Sequence, residues 1–112
     1  MGYTQQKNYC LIDGDIMEKI SLIIPVYNAQ EYLERCLQSA VSQEYFNIEI
    51  ICVDDGSTDH TVSIIKDYQK NDPRIHIISQ ENQYAGVARN HGMKYAKGTY
   101  LSFLDADDYY MP

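Results

Sequence analysis

From residue 20 onward, short apolar runs alternate with stretches of helical period, and this alternation restricts the chain to one kind of architecture. The run Ile20-Ser21-Leu22-Ile23-Ile24-Pro25-Val26 is nearly continuous in apolar character, as a strand buried on both faces requires. Leu33, Cys36, Leu37, Ala40 and Val41 then recur at i, i+3, i+4, i+7 and i+8, one stripe of a helix. Residues 48–53 read as a second strand. Ser57, Thr58 and Asp59 carry N-cap chemistry for a second helix, with Val62, Ile65 and Tyr68 on its apolar side and Asp72-Pro73 as its breaker. Residues 75–79 read as a third strand, 85–96 as a third helix with Gly98 as its stop, and 99–104 as a fourth strand. The order β-α-β-α-β-α-β with short connections predicts a parallel, right-handed α/β sheet, Rossmann-like in kind.

At 112 residues the chain has room for one core. The pattern begins after Met17, so residues 1–17 read as an N-terminal extension ahead of a domain at 18–112; an ordinary N-terminal arm fits equally well. Nine basic against sixteen acidic residues give a formal charge of −7. That excess argues against a nucleic-acid partner, which needs a basic face. It suits a metal-dependent enzyme, because a divalent cation bridges carboxylates and phosphates, although a solvated acidic surface accounts for most of it. Cys10, Cys36 and Cys52 lie far apart without a C-x-x-C pair, which suggests neither a zinc site nor a disulfide framework. Buried free thiols at Cys36 and Cys52 lead to the expectation of a reducing, cytoplasmic setting. No apolar run approaches the roughly 18 residues of a membrane-spanning helix, and the first 20 residues lack a signal peptide's apolar stretch.

In parallel α/β sheets, ligands bind beyond the carboxyl ends of the strands. That directs attention to residues 25–28, 54–57, 79–84 and 105–108. Asp54, Asp55, Asp105, Asp107 and Asp108 are therefore expected on one edge of the sheet, together with the ring of Tyr27. Close like charges need a cation or hydrogen-bond donors to compensate them, and hard oxygen ligands suit Mg2+ or Mn2+. Each element has a plainer explanation. Asp59 is read as a helix cap, Asp54-Asp55-Gly56 alone is a common turn, Tyr27 alone is ordinary packing, and Asp-x-Asp arises often by chance. Their conjunction at successive strand ends is the signal.

These segments together, the first strand with its following helix, Val53-Asp54-Asp55-Gly56-Ser57-Thr58-Asp59, Gly86 through Arg89-Asn90, and Leu104-Asp105-Ala106-Asp107-Asp108, resemble family 2 glycosyltransferases of the GT-A fold over residues 18–112. The resemblance implies that Tyr27 lies against a uracil ring, that Pro25 lines the same pocket, and that Asp55 accepts the uracil N–H. It implies that Asp105 and the backbone at Ala106 lie near the ribose, that Asp107, with Asp105 beside it, binds Mn2+ or Mg2+, and that Arg89 contacts the nucleotide. A solvated helix arginine is an almost equal reading of Arg89. Between Asn82 and Gly86 the sequence departs from the family's glycine-rich turn, so no contacts are assigned there.

The implied activity is inverting transfer of a sugar from a nucleotide-diphospho-sugar, a UDP-sugar above all, to a saccharide or lipid-linked acceptor, in polysaccharide or cell-wall synthesis. The implied place is cytoplasmic, including a peripheral position at the inner membrane face. The general base is expected beyond residue 112, so the chain reads as the donor half of such an enzyme, with a non-catalytic nucleotide-binding remnant as the alternative. Four strands with open edges also raise the expectation of marginal stability, or of self-association or a partner chain over the sheet. Two other classes fail. A phospho-acceptor receiver would begin near Asp54, yet a strand and helix precede it, and a dinucleotide-binding turn needs glycines that residues 25–31 lack.

Overall fold

The computed structural model describes residues 18–43, 45, 47–81 and 85–106. Along the chain run β1 (Ile20–Val26), α1 (Leu33–Val41), β2 (Ile48–Asp54), α2 (Thr61–Asn71), β3 (Ile75–Ser79), α3 (Ala85–Tyr95) and β4 (Tyr100–Phe103). All strand pairs are parallel, in the order β3-β2-β1-β4. The chain steps outward from β1 to β3 and then returns through α3 to the far side of β1. Its direction of travel thus reverses between β1 and β4, the topological switch point where open α/β sheets bind ligands.

Strand alternation divides the core between the two faces. Ile20, Leu22, Ile24 and Val26 of β1, with Ile48, Ile50 and Cys52 of β2, pack against Leu33, Cys36, Leu37 and Ala40 of α1 and Ile65 of α2. Ile23, Ile51 and Val53 face the other way, onto Ala88 of α3. Burial on both faces explains why the two central strands read as continuous apolar runs. Full burial stabilises each such Leu or Ile by roughly 1.5–3 kcal/mol. A side chain at Gly92 would place a Cβ 2.6 Å from Ile23 Cγ2, so the absence of one lets α3 settle onto β1.

A buried polar clamp closes the amino end of the sheet. Glu49, only 4% exposed, accepts hydrogen bonds at its Oε2 from the Ser21 hydroxyl at 2.5 Å and from the backbone N–H of Lys97 at 2.6 Å. Ser21 Oγ in turn accepts from the N–H of Gly98 at 2.8 Å. Burial pushes the Glu49 carboxyl up, but the Ser21 and Lys97 donors, with the charges of Lys19 and His76, outweigh it and hold it below the ordinary value. At the carboxyl end of α1, Arg74 donates to the Val41 carbonyl at 3.2 Å and pairs with Asp72 at 2.7 Å, tying the turn before β3 to the first helix.

Three details differ from the sequence reading, the first being β4, which is one residue shorter at each end than the 99–104 expected. β2 runs one residue further, through Asp54, because that residue pairs with Val26 on one side and Ser79 on the other. Gly98 is not the left-handed stop of α3, which ends at Tyr95; the one glycine with positive φ among the described residues is Gly56. Gly98 is required instead by closeness, since a Cβ there would fall 2.6 Å from Ser21 Oγ and 2.7 Å from the Lys19 carbonyl. The proposed extension at 1–17 lies outside the described residues.

Candidate functional site

Proline in a central strand removes a ladder donor, so Pro25 needs a reason. Leu104 N–H bonds to the Ile23 carbonyl at 3.1 Å, which shows that Ile23 faces β4; by alternation Pro25 faces the same side. The paired register with β4 ends at Ile23↔Phe103, so the missing N–H falls where β1 and β4 have begun to part. Half-buried Pro25 therefore sits at the switch point, beyond the last β1–β4 pair.

Beyond Val26 the chain turns through Asn28, which adopts φ 45°, a left-handed conformation that asparagine tolerates. The turn is stitched to the loop after β2. Asn28 N–H donates to Ser57 Oγ at 2.9 Å, Thr58 N–H donates to Asn28 Oδ1 at 2.8 Å, and Ala29 N–H donates to Thr61 Oγ1 at 2.8 Å. Asp59 Oδ1 accepts the Thr61 N–H at 2.9 Å from just outside α2, whose N-cap position falls to His60 rather than to Asp59. On this braced turn the Tyr27 ring stands 51% exposed, a flat apolar surface open to a planar partner.

Of the five carboxylates expected together, the three within the described residues take separate partners. Asp54 is buried and receives the Ser57 N–H at 3.3 Å, so it builds its own loop. Asp55, 9% exposed, accepts from Gln80 Nε2 at 3.1 Å, while its N–H bonds to the Val26 carbonyl at 2.9 Å. Asp105 follows β4, half-exposed, with Oδ1 3.2 Å from Arg89 Nη2 of α3. Arg89, its side chain still more than a third exposed, is thus an ion-pair partner of Asp105. Ala106 packs against the α1 side of the core, and the Asp105 carbonyl lies 3.7 Å from Cys36 Sγ. Asp107 and Asp108 lie outside the described residues. Among the described residues no three His, Cys, Asp or Glu side chains gather closely enough to cage a metal.

The structure therefore brings Pro25, Tyr27, Asp55, Arg89, Asp105 and Ala106 to one end of the sheet. It adds two residues that the sequence reading passed over. Gln80 lies within the third strand-end window and could have been sought there as a polar group after an apolar strand. His91, 3.2 Å from Gln80 Oε1 through its Nδ1, carries no sequence signal of its own.

An exposed ring, a sheltered acceptor and an arginine–carboxylate pair stand around the β1/β4 switch point of a parallel α/β domain of the GT-A type. The family model for glycosyl transferase family 2 matches residues 21–112, and the chain belongs to that family. It is 47% identical over 92 residues to glycosyltransferase GlyA of Streptococcus pneumoniae serotype 4, covering 82% of this chain but 13% of that protein. Among solved structures it is similar to S. aureus TarS 1–349, at TM-score 0.75 and 35% identity over 81% of this chain and 28% of that one. TarS has been solved with UDP and with UDP-GlcNAc. Mannosyltransferase PcManGT of Pyrobaculum calidifontis, solved with GDP-Man and Mn2+, aligns at TM-score 0.77 and 26% identity over 81% of this chain and 28% of its own. The chain thus spans well under a third of the length of each of these proteins.

Proposed function

We propose that this chain supplies the donor-binding side of a glycosyltransferase, holding a nucleotide-diphospho-sugar at the β1/β4 crevice for transfer to a saccharide or lipid-linked acceptor. The observation that carries this reading is the placement of Tyr27, Asp55 and the Arg89–Asp105 pair on three strand ends and one helix facing the switch point. In this arrangement Tyr27 stacks on the base, with Pro25 beneath it, and Asp55 accepts the base N–H. Asp105 and the Ala106 backbone meet the ribose, and Arg89 meets the charged part of the donor. UDP as the nucleotide is supported by the UDP and UDP-GlcNAc complexes of TarS.

The donor set also fits a divalent cation. Asp105 is a half-exposed hard-oxygen donor beside the crevice, and Mg2+ or Mn2+ takes one or two carboxylates together with substrate phosphates rather than a complete protein cage. Asp107 would hold the ion, with Asp105 beside it; bound there, it would neutralise charge on the departing nucleoside diphosphate. Inversion at the anomeric carbon, with a general base outside these residues, belongs to the same proposal. So does a cytoplasmic setting, at the inner membrane face in a peripheral role, which is supported by the buried thiols of Cys36 and Cys52, neither in a disulfide.

Calorimetric titration with UDP, with and without Mn2+, tests the reading. Binding that strengthens with the metal is expected. Absence of heat in both titrations of folded protein would reject it.

A further inference from the structure

Asp55 does not act alone at the end of β2. Its Oδ1 accepts from Gln80 Nε2 at 3.1 Å, and Gln80 Oε1 lies 3.2 Å from His91 Nδ1. Chemistry fixes the direction of this chain. A carboxylate accepts and does not donate, so the amide nitrogen of Gln80 faces Asp55 and its oxygen faces His91. An amide oxygen likewise only accepts, so His91 carries a proton on Nδ1.

Every member is held from behind. The Gln80 N–H donates to the Asp54 carbonyl at 2.8 Å, extending the β2–β3 ladder by one residue. His91 rides on α3, which Ala88 and Gly92 seat against β1 and β2. Asp55 and Gln80 are each 9% exposed, so their hydrogen bond works where water competes little. A surface turn would not need a glutamine buried between a carboxylate and an imidazole.

We propose that Gln80 and His91 are positioning residues that aim the Asp55 carboxylate as a fixed acceptor, so that the pocket takes a base presenting a ring N–H, such as uracil, and rejects cytosine. Uracil carries a hydrogen on N3 where cytosine carries a lone pair, and a lone pair set against a carboxylate is repelled. This rests on reading the site as a nucleotide pocket with Asp55 against the base.

The test is calorimetric titration with UDP and with CDP, each at one Mn2+ concentration, for the wild type and for Gln80→Leu, His91→Phe and His91→Gln. The wild type is expected to prefer UDP by on the order of 100-fold or more, since a site built to hydrogen-bond an N–H rejects the analogue lacking it. Gln80→Leu removes a hydrogen bond to a charged group and is expected to cut that preference about tenfold, chiefly by weakening UDP. His91→Phe, which leaves Gln80 free to turn, is expected to lower the preference as well. His91→Gln, which still donates to the amide oxygen, is expected to keep it. Equal weakening of both nucleotides, with the ratio unchanged in folded variants, would show a merely structural role and overturn the proposal. So would a wild type that binds UDP and CDP alike. A wild type that binds neither removes the nucleotide-pocket reading itself, an outcome distinct from the other two. Should Gln80→Leu fail to fold, the two His91 variants decide by the same ratio.

Discussion

Arg89 of α3 reaches over the carboxyl end of the sheet to Asp105 after β4, with 3.2 Å between Nη2 and Oδ1. The two residues come from elements on opposite sides of the switch point, so the pair spans the proposed donor site. Both side chains are more than a third exposed, and a pair of that kind contributes at most about 1 kcal/mol to stability. Its residues are therefore better placed to meet a ligand than to hold the fold. Arg89→Gln and Asp105→Asn are each expected to leave thermal melting within a few degrees of wild type, while UDP binding in the presence of Mn2+ falls about tenfold. Melting that drops steeply with binding intact would reverse that assignment.

Tyr27 is half-exposed and stands outside the core, so its removal should cost little stability. Tyr27→Ala is expected to weaken UDP by about 1–3 kcal/mol, the usual worth of stacking a base on an aromatic ring. Tyr27→Phe keeps the ring and is expected to bind nearly as well as wild type. A comparison of the three proteins by calorimetry separates ring from hydroxyl.

Gly98 sits against Ser21 Oγ and the Lys19 carbonyl with no room for a methyl group. Gly98→Ala must push apart the turn before β4 and the start of β1, and is expected to cost on the order of 2 kcal/mol. Gly86 makes a matched control on α3, since a Cβ there would meet nothing within 4 Å. Gly86→Ala is expected to be neutral or slightly stabilising by helix propensity. Denaturant melts of both variants check the contrast.

The acid side of the stability curve should report buried Glu49 and partly buried Asp72. Glu49 is held below its ordinary value of 4.5 despite burial, by the Ser21 and Lys97 donors and nearby positive charge. Asp72 is held low by the hydrogen bonds of the Arg74 side chain, against the opposing effect of burial. A carboxyl whose folded pKa is depressed stabilises the protein fully above its unfolded value, and that contribution is lost as pH falls through the folded one. Melting temperature is therefore expected to hold steady above about pH 4.5 and to decline below it. Glu49→Gln is expected to lower the neutral-pH plateau and to flatten the decline. An unchanged acid limb in that variant would remove Glu49 from the explanation.

The strand and helix order was legible because the core is binary: residues 20–26 and 48–54 are sealed on both faces, and α1 shows its stripe without interruption. The strand ends were legible too, because topology alone says where a parallel sheet exposes its ligand side. Partnerships were not. Nothing in the order of residues says that Asp54 turns onto Ser57 while Asp55 turns onto Gln80, since that depends on which way each peptide plane faces after β2. Arg89 and Asp105 are likewise sixteen residues apart, and only the crossover through α3 brings them together. Gly98 was read for its conformational freedom, whereas its role is to be small.

The clamp of Glu49, Ser21 and Gly98 grips the end of the sheet opposite Tyr27 and Asp55. Its consequence is a division of labour along the strand axis. One pole is a fastening that fixes how β1, β2 and β4 are laid together; the other is a workbench whose loops can be re-equipped without loosening the fastening. A chain built this way can change what its loop pole meets through substitutions there while its assembly continues to be dictated from the other.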